Sequence, residues 1–193
     1  VATRGIGWDD AFVDAKTAAA MRRELRYVHW QESRVVKPDA TGGHVVVESE
    51  RRVSSSAAQS WFNDSLSRAV ASIEARICAT FSVDSACLES WQAVRYEPGG
   101  KFEIHHDGGS FGAELAGERV LTFLLYLQTP ASGGETYFPE LGLLVPAVAG
   151  KLVVWNNLLP DGSLDRRFLH AATPVHEGRK TILTTWSRQR PLR

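Results

Sequence analysis

The sequence has little cysteine, no net charge and no long apolar run, and each absence narrows the possible functions. Its two cysteines, Cys78 and Cys87, match no zinc-binding spacing and are too few for a disulfide framework. We therefore expect both to be reduced thiols. Twenty-two basic residues balance twenty-two acidic ones, which gives no indication of nucleic acid as a partner.

No apolar stretch approaches the length needed to cross a bilayer, so we expect no membrane partner. The first residues also lack the apolar segment of a signal peptide. With the reduced cysteines, this favours a cytoplasmic location. What is present is an ordinary globular composition, with 44% hydrophobic and 23% charged residues. The sequence gives no indication of an oligomeric state.

The first part of the chain predicts two helices and a strand. Apolar residues recur at helical spacing over 8–26, and a longer stripe continues to about Phe81 after the serines at 54–56, which we expect to cap that second helix. Residues 44–53 are rich in valine and predict a strand. We expect both helices to pack on the outside of a sheet, because apolar stripes of this kind are usually core.

From Glu89 onward, short β-rich segments alternate with glycine, proline and aspartate turns, which is typical of a barrel or a two-sheet sandwich. The predicted strands are 91–97, 101–107, 119–128, 134–138, 141–146, 151–155, 166–171 and 179–188. No interdomain linker is visible, so residues 1–193 predict one domain. Within it, 1–88 form a helical and strand support region and 89–190 form the β-core.

A possible metal site begins with His105 and Asp107. Alternate residues of a strand share a face, so these two side chains point the same way, whereas His106 points to the opposite face. His170, on another predicted strand, offers a second imidazole. Two histidines and one carboxylate form the facial triad that holds Fe(II) with open coordination positions for oxygen chemistry.

The last predicted strand carries an unexpected lysine. Lys180 shares its parity with Ile182, Thr184 and Trp186, so it should face the interior, while Arg179 should face solvent. A buried lysine is costly unless it is paired. A bound dicarboxylate would supply that pairing.

These residues resemble the Fe(II)/2-oxoglutarate dioxygenases, specifically the prolyl 4-hydroxylase branch, over about residues 90–190. The similar motifs are Tyr96-x-x-Gly99 before His105-x-Asp107, the strand from Arg119 through Thr122 and Tyr126, the turn Gly133-Gly134-Glu135-Thr136-x-Phe138-Pro139, and His170-Ala-x-x-Pro174-Val175-x-x-Gly178-x-Lys180. The combination is specific, although each piece alone is weak.

The resemblance implies a mainly β fold with flanking helices, in which a double-stranded β-helix (jelly-roll) core of eight strands carries the N-terminal helices on one sheet. It implies Fe(II) held by His105, Asp107 and His170, with 2-oxoglutarate and O2 as cosubstrates and ascorbate as reductant. The cosubstrate contacts that it implies are Lys180, Tyr96, Tyr126 and Thr184.

For the substrate, the resemblance implies hydroxylation of proline. The short loop 108–118 leaves the mouth of the site open and so favours a peptide or protein, with a free cyclic amino acid or other small molecule as the alternative. Candidate substrate contacts are Arg119, Trp186, Phe102 and Arg188. Loops 40–53 and 108–118 could close over a peptide. For a small amino acid, Arg52, Arg119 and Arg188 could bind the carboxylate, with Glu48 or Glu50 near the amine. Arg119 could equally form a salt bridge. Phe102 has the parity opposite to His105, so it lines the site only if a bulge intervenes.

Two other functions compete with this interpretation. One is a non-catalytic binding module that has kept the fold, which the complete triad and Lys180 disfavour. The other is a related halogenase, in which a halide takes the position of the carboxylate that Asp107 supplies here. His106 and Glu135 are more simply explained as structural residues.

Overall fold

The computed structural model describes residues 5–38, 44–47 and 49–192, and strands dominate it. In chain order the strands are β1 (Ile6–Asp9), β2 (Gln31–Glu32), β3 (Val35–Pro38), β4 (His44–Val47), β5 (Arg52–Val53), β6 (Ser55–Ala58), β7 (Gln92–Tyr96), β8 (Lys101–His105), β9 (Arg119–Gln128), β10 (Ser132–Gly133), β11 (Thr136–Phe138), β12 (Leu143–Val145), β13 (Leu152–Asn156), β14 (His170–Ala172), β15 (Val175–Glu177) and β16 (Lys180–Arg188). The α-helices are α1 (Ala15–Glu24) and α2 (Asp64–Phe81). Among the described residues, no helix is long and apolar enough to cross a membrane.

Eight strands of the continuously described C-terminal half form two antiparallel layers that face each other. The first layer has the order β13-β9-β16-β7 and the second has the order β12-β11-β14-β8. The chain passes back and forth between the layers, which is the winding of a double-stranded β-helix. Strands β1, β6 and β2 extend the first layer and β5 extends the second. The predicted jelly-roll fold is confirmed.

Both helices cover the outer face of the first layer. The buried stripe of α2, which includes Leu66, Val70 and Ile77, belongs to the same core cluster as Phe123 and Leu125 of β9. Each fully buried aliphatic side chain of this kind contributes about 1.5–3 kcal/mol relative to an exposed one. The predicted packing of the helices on one sheet is confirmed, and it leaves the inner faces of the two layers for the site.

Both helices start later than the periodicity predicts. Residues 6–9 form β1, which pairs with β13, and α1 begins only after Asp14, whose side chain accepts a hydrogen bond from the Thr17 amide at 2.7 Å. The serines at 55 and 56 do not cap α2 but lie in β6; the cap is Asn63, which accepts from the Leu66 amide at 2.9 Å. Pairing with a neighbouring strand therefore overrides local helical spacing in both segments.

Other predicted strands are shorter or divided. Residues 44–53 contain β4 and β5 instead of one strand. The prediction for 166–171 is wrong at its start, because residues 166–168 form a 3₁₀ turn capped by Asp165 and β14 begins at His170. Strand β8 ends at His105, two residues earlier than predicted. The short pair β10–β15 was not predicted as such.

Candidate functional site

Three potential metal ligands meet at the edge of the inner cavity. The side chains of His105, Asp107 and His170 each offer one ligand atom, and these atoms all lie within 4.8 Å of one another. The carboxylate is 3.8 Å from His105 Nε2 and 3.7 Å from His170 Nε2. His105 ends β8 and His170 begins β14, and the two residues are directly paired across these strands. Asp107 lies beyond the end of β8, so the turn after the strand, and not strand alternation, brings it to the histidines.

Hydrogen bonds set the orientation of both imidazoles. His105 Nδ1 lies 2.8 Å from the carbonyl oxygen of Glu103, and His170 Nδ1 lies 2.9 Å from that of Phe168. A carbonyl only accepts, so each Nδ1 must carry the hydrogen in the neutral ring. Each Nε2 then keeps a free lone pair directed at the carboxylate side, as a metal ligand requires.

The carboxylate of Asp107 is held by residues that the sequence analysis did not predict to have this role. Thr122 donates from Oγ1 to Asp107 Oδ2 at 2.7 Å, and Asn157 Nδ2 donates to Thr122 Oγ1 at 2.9 Å. Both Thr122 and Asn157 are fully buried. Parity could have identified Thr122, which alternates with Leu124 and Tyr126 on the inner face of β9. No sequence pattern identified Asn157.

The protonation states of the three groups suit metal binding. Burial, together with the neighbouring His170, lowers the pKa of His105 to about 3. Burial also lowers the pKa of His170. For Asp107, burial alone would raise the pKa, but the nearby His170, His105 and Arg119 bring it below its ordinary value. Two neutral imidazoles and one carboxylate are therefore present at neutral pH, which is the state that a metal ion needs.

Lys180 lies inside the jelly-roll, 1% exposed, with the inward parity expected from sequence. Burial lowers its pKa to about 7, and Glu135 opposes part of that change. Its Nζ lies 5.0 Å from the ring centroid of Tyr96 and 5.5 Å from that of Tyr126. No residue that the structure describes forms a hydrogen bond or ion pair with this ammonium. A buried cation of this kind favours an anionic ligand, which would supply the missing partner.

A glycine turn brings the chain close to Lys180. Gly133 has a φ of +75°, and a Cβ there would lie 2.2 Å from the carbonyl oxygen of Pro174. Gly134, with a φ of +78°, approaches the Lys180 stem so closely that its Cβ would be 3.4 Å from Cδ. Glu135 accepts a hydrogen bond from Thr173 Oγ1 at 2.5 Å, which is the structural role expected for it. Only glycine allows this turn without strain.

The other residues predicted to bind the cosubstrate lie around Lys180 with different accessibility. Tyr96 pairs directly with Lys180 between β7 and β16 and lines the cavity. Thr184 also lines it, and its hydroxyl donates to the carbonyl oxygen of Phe123 at 3.1 Å. The Tyr126 hydroxyl forms a hydrogen bond of 2.6 Å with Thr136 Oγ1. Thr136 lines the cavity, whereas Tyr126 lies behind it and does not. Burial raises the pKa of Tyr126 and Tyr96, so both phenols stay neutral.

Phe102 lies on the same side as His105 because of a bulge. His170 pairs with His105 while Ala172 pairs with Phe102, so three steps along β8 correspond to two along β14. The Phe102 and His105 rings are stacked with centroids 3.5 Å apart. Phe102 thus lines the cavity, and the conflict that strict strand parity raised is resolved.

The two arginines considered as substrate contacts are held by acidic side chains. Arg119 forms two hydrogen bonds of 2.7 Å with the Glu89 carboxylate, donates to the Asp107 carbonyl oxygen at 3.3 Å, and lies 3.7 Å over the Trp186 ring centroid. Of its two possible roles, the structure shows the salt bridge, at the cavity wall. Arg188 is 5% exposed and bonded to Gly117, Glu89 and Glu114. It does not line the cavity, so its predicted substrate contact is corrected.

The remaining candidates line the cavity, have structural roles elsewhere, or lie outside the described residues. Arg52 and Trp186 line the cavity. Arg179 is exposed and pairs with Glu97 at 2.8 Å, as its parity predicts. His106 donates from Nε2 to the Asp165 carbonyl oxygen at 3.1 Å and accepts the Gly108 amide on Nδ1 at 3.0 Å, which is a structural role. Glu48 and part of loop 40–53 lie outside the described residues.

One cavity of about 530 Å³ joins these groups, since the triad, Lys180, Phe102 and Trp186 all line it. That volume is within the ordinary range for small-molecule sites. The metal ligands therefore share one cavity with a cation that has no acidic partner among the described residues.

Comparison with known sequences matches this half of the chain to a single family. The family model of the 2OG-Fe(II) oxygenase superfamily matches residues 91–188. The alpha-1 subunit of chicken (Gallus gallus) prolyl 4-hydroxylase is 36% identical over 145 residues, which are 72% of this chain and 28% of that protein. Prolyl 4-hydroxylase 13 of Arabidopsis thaliana is 33% identical over 62% of this chain and 50% of that protein. The chain thus spans half or less of these relatives.

Solved structures agree on the fold. A viral collagen prolyl hydroxylase of Paramecium bursaria Chlorella virus-1, crystallised with 2OG, superposes with a TM-score of 0.63 at 20% identity and covers 96% of this chain and 97% of that one. A Pseudomonas putida prolyl-4-hydroxylase gives a TM-score of 0.61 at 20% identity, with coverage of 97% and 94%. The family match begins just before β7 and ends with β16, so it contains the three potential metal ligands and Lys180. By its sequence and its fold, the chain belongs to the 2OG-Fe(II) oxygenase superfamily.

Proposed function

We propose that this chain is an Fe(II)- and 2-oxoglutarate-dependent dioxygenase that hydroxylates prolyl residues within a peptide or protein. The observation that supports this most directly is the sharing of one cavity by the His105, Asp107 and His170 ligands and the unpaired Lys180. A ligand with a carboxylate at one end and metal-binding oxygens at the other fits that arrangement. The family match implies the same metal and cosubstrates.

His105, Asp107 and His170 would hold the iron, because their lone pairs converge and their protonation states are correct. Bound Fe(II), with 2-oxoglutarate and O2, supplies oxidising chemistry in which a substrate C–H becomes C–OH and 2-oxoglutarate becomes succinate and CO2. Lys180 binds the distal carboxylate of the cosubstrate as a point charge and so fixes its direction in the cavity. Carboxylate binding also restores the charged state of Lys180, whose pKa burial lowers to about 7.

Neighbouring side chains orient the cosubstrate and exclude water. Tyr96 lies beside Lys180, and the linked hydroxyls of Tyr126 and Thr136 offer a hydrogen bond toward the same carboxylate. Thr184 lies on the same wall. Tyr96 and Tyr126 are at most 3% exposed, so bulk water is kept from this end of the cavity. Charge-assisted hydrogen bonds are strengthened in such a setting.

The length of the cavity rim and the named relatives favour a peptide substrate over a free amino acid. A free amino acid needs an unpaired cation for its carboxylate. Arg119 and Arg188 are saturated by Glu89 and Glu114. Only Arg52, which lines the cavity and has no acidic partner among the described residues, is left for that role. The rim of the cavity also includes apolar and polar residues of the N-terminal strands, such as Val46 and Gln31, which form a longer wall than a single amino acid would use. The named relatives are prolyl hydroxylases, which supports proline as the target.

Mass spectrometry of turnover tests the proposal. The chain is incubated with Fe(II), 2-oxoglutarate and ascorbate and with either proline-rich peptides or free proline and pipecolate. We expect a product heavier by one oxygen on a prolyl residue of a peptide, together with succinate, and no product from His170→Ala. Oxygen added only to a free amino acid would reject the peptide assignment, and succinate without product on either substrate would reject proline. If the parent chain formed no succinate with any substrate, the dioxygenase assignment itself would be rejected.

Two finer parts of the proposal concern the reductant and the location. Ascorbate is proposed as the reductant on the strength of the family match alone. A cytoplasmic location is proposed because Cys78 and Cys87 are free thiols. Omitting ascorbate from the assay would test the reductant. Fractionating cells that express the chain would test the location.

A further inference from the structure

We propose that the outer face of the first layer carries a second binding site, specific for a small anion that bears two or more phosphate charges. The site is a pocket of about 280 Å³ lined by five arginines, which we call the arginine pocket: Arg22, Arg23, Arg26, Arg95 and Arg179. Nothing in the proposed oxygenase chemistry uses these residues.

The arginines of the pocket come from distant parts of the chain. Arg22 and Arg23 lie in the last turn of α1, and Arg26 lies in the 3₁₀ turn that follows it. Arg95 lies on β7, and Arg179 immediately precedes β16. A run of charge along one helix is usually only a solvated face, and basic residues at a helix C-terminus also offset its dipole. That explanation covers the helical arginines, but not Arg95 and Arg179, which the fold brings to the same place.

The acidic residues around the pocket do not balance its charge. Glu97 pairs with both Arg95, at 3.2 Å, and Arg179, at 2.8 Å. In the part of the chain that the structure describes, Arg22 and Arg23 have no acidic partner, and Arg26 donates only to the carbonyl oxygen of Arg23. Five arginines thus line one concavity, and the carboxylate of Glu97 pairs with two of them. A concave surface of one sign concentrates the field and attracts oppositely charged ligands.

The size and the side-chain type define the ligand. A cavity of about 280 Å³ is at the lower limit of ordinary small-molecule pockets. Guanidinium groups match phosphate oxygens in pairs, whereas lysines act as point charges, and this pocket contains arginine and no lysine. Trp30 forms one wall, with the Arg95 guanidinium 4.5 Å from its ring centroid. These features fit a compact diphosphate group better than a polypeptide segment.

The pocket is separate from the inner cavity although it uses the same two strands. Arg95 pairs with Thr181, and the neighbouring Tyr96 pairs with Lys180. Because adjacent residues of a strand point to opposite faces, Arg95 and Thr181 line the arginine pocket while Tyr96 and Lys180 line the inner cavity. An anion bound outside would therefore lie across the sheet from the proposed carboxylate site.

Isothermal titration of the metal-free chain with inorganic pyrophosphate, at constant ionic strength, tests the inference. We expect one site that prefers pyrophosphate to inorganic phosphate, and at least a tenfold loss of affinity in the double variant Arg22→Gln/Arg26→Gln. Arg68→Gln, an exposed arginine of α2 outside the pocket, is the matched control and should bind normally. Lys180→Met should also keep the site, because Lys180 faces the other cavity.

Thermal unfolding of each variant shows whether a loss of binding reflects misfolding, and Arg179→Gln provides a second substitution from a different element. The inference is overturned if pyrophosphate does not bind, if the double variant binds as tightly as the parent, or if Lys180→Met abolishes the signal. Equal or tighter binding of a hexaglutamate peptide would also overturn it, because it would show a general acidic-polypeptide surface and not a phosphate site. None of these readouts depends on oxygenase activity.

Discussion

Replacing Lys180 by methionine should stabilise the protein while removing its ability to bind 2-oxoglutarate. Lys180 is 1% exposed, and burial lowers its pKa from 10.5 to about 7. Keeping its ammonium charged in the folded state therefore costs on the order of 5 kcal/mol at or below pH 7. Attraction of Nζ to the Tyr96 and Tyr126 rings recovers about 1 kcal/mol of that cost. Methionine has a similar length and no charge to desolvate, so its unfolding free energy should be higher by roughly 4 kcal/mol near pH 6.5.

The stability of the parent protein should depend on pH because of Lys180. The pKa of Lys180 is lower in the folded chain than in the unfolded one, so the unfolded chain holds more protons between about pH 7 and 10.5. The stability of the parent protein should therefore rise with pH across that window, and the advantage of Lys180→Met should shrink to roughly 2 kcal/mol at pH 9. Below pH 7 the advantage should be constant, because both states of the parent are then protonated.

Urea unfolding of the metal-free proteins at pH 6.5 and 9, with 2-oxoglutarate binding measured by calorimetry, checks both halves of this prediction. Arg179→Met, on the opposite face and exposed, is the matched control and should change stability by no more than about 1 kcal/mol. A less stable Lys180→Met protein, or an advantage that does not change with pH, would refute the reasoning that the buried lysine is kept at a cost. Retained binding of 2-oxoglutarate would refute its proposed role.

The remaining predictions concern the metal and the cosubstrate. Asp107→Ala should weaken metal binding and abolish Fe(II)-dependent turnover, because it removes one of three ligands; unchanged calorimetric affinity for Mn(II) would contradict the assignment. Thr122→Val should lower metal affinity about 10-fold by freeing the Asp107 carboxylate, whereas Thr181→Val, on the outer face, should not. At pH 8, binding of 2-oxoglutarate should take up a proton, since the free Lys180 has a pKa of about 7 and the paired form is charged. Calorimetry in two buffers of different ionisation enthalpy measures that uptake, and an equal heat in both would contradict it.

The site was predictable where chemistry depends on residue type. The chain has six histidines, and the pattern His105-x-Asp107 with a later His170 on another predicted strand singled out one triad among them. The inward position of Lys180 followed from strand parity alone, because β16 pairs regularly with β7 over its first residues and the irregularity against β9 places the extra residue on β9. The jelly-roll was predictable because its strands are short, apolar and separated by glycine and proline turns.

What the sequence could not supply was long-range pairing. Residues 6–9 and 55–58 carry helical or polar patterns but become strands because β13 and β7 offer open edges. The partners of Arg119 and Arg188 are likewise invisible in sequence, since Glu89 lies 30 and 99 positions away. Whether an arginine can bind a substrate depends on such partners, and so the substrate contacts were the least predictable part of the site.

The bulge between β8 and β14 shows how one local irregularity determines the composition of the site. With a regular ladder, Phe102 would lie on the face opposite to His105. The extra residue of β8 places both rings on the cavity side, stacked 3.5 Å apart. Stacking on Phe102 and the hydrogen bond to the Glu103 carbonyl then leave the His105 ring little freedom to rotate. Deleting the bulge would reverse Phe102 relative to His105, so the same irregularity that defeats sequence parity also holds the first metal ligand in position.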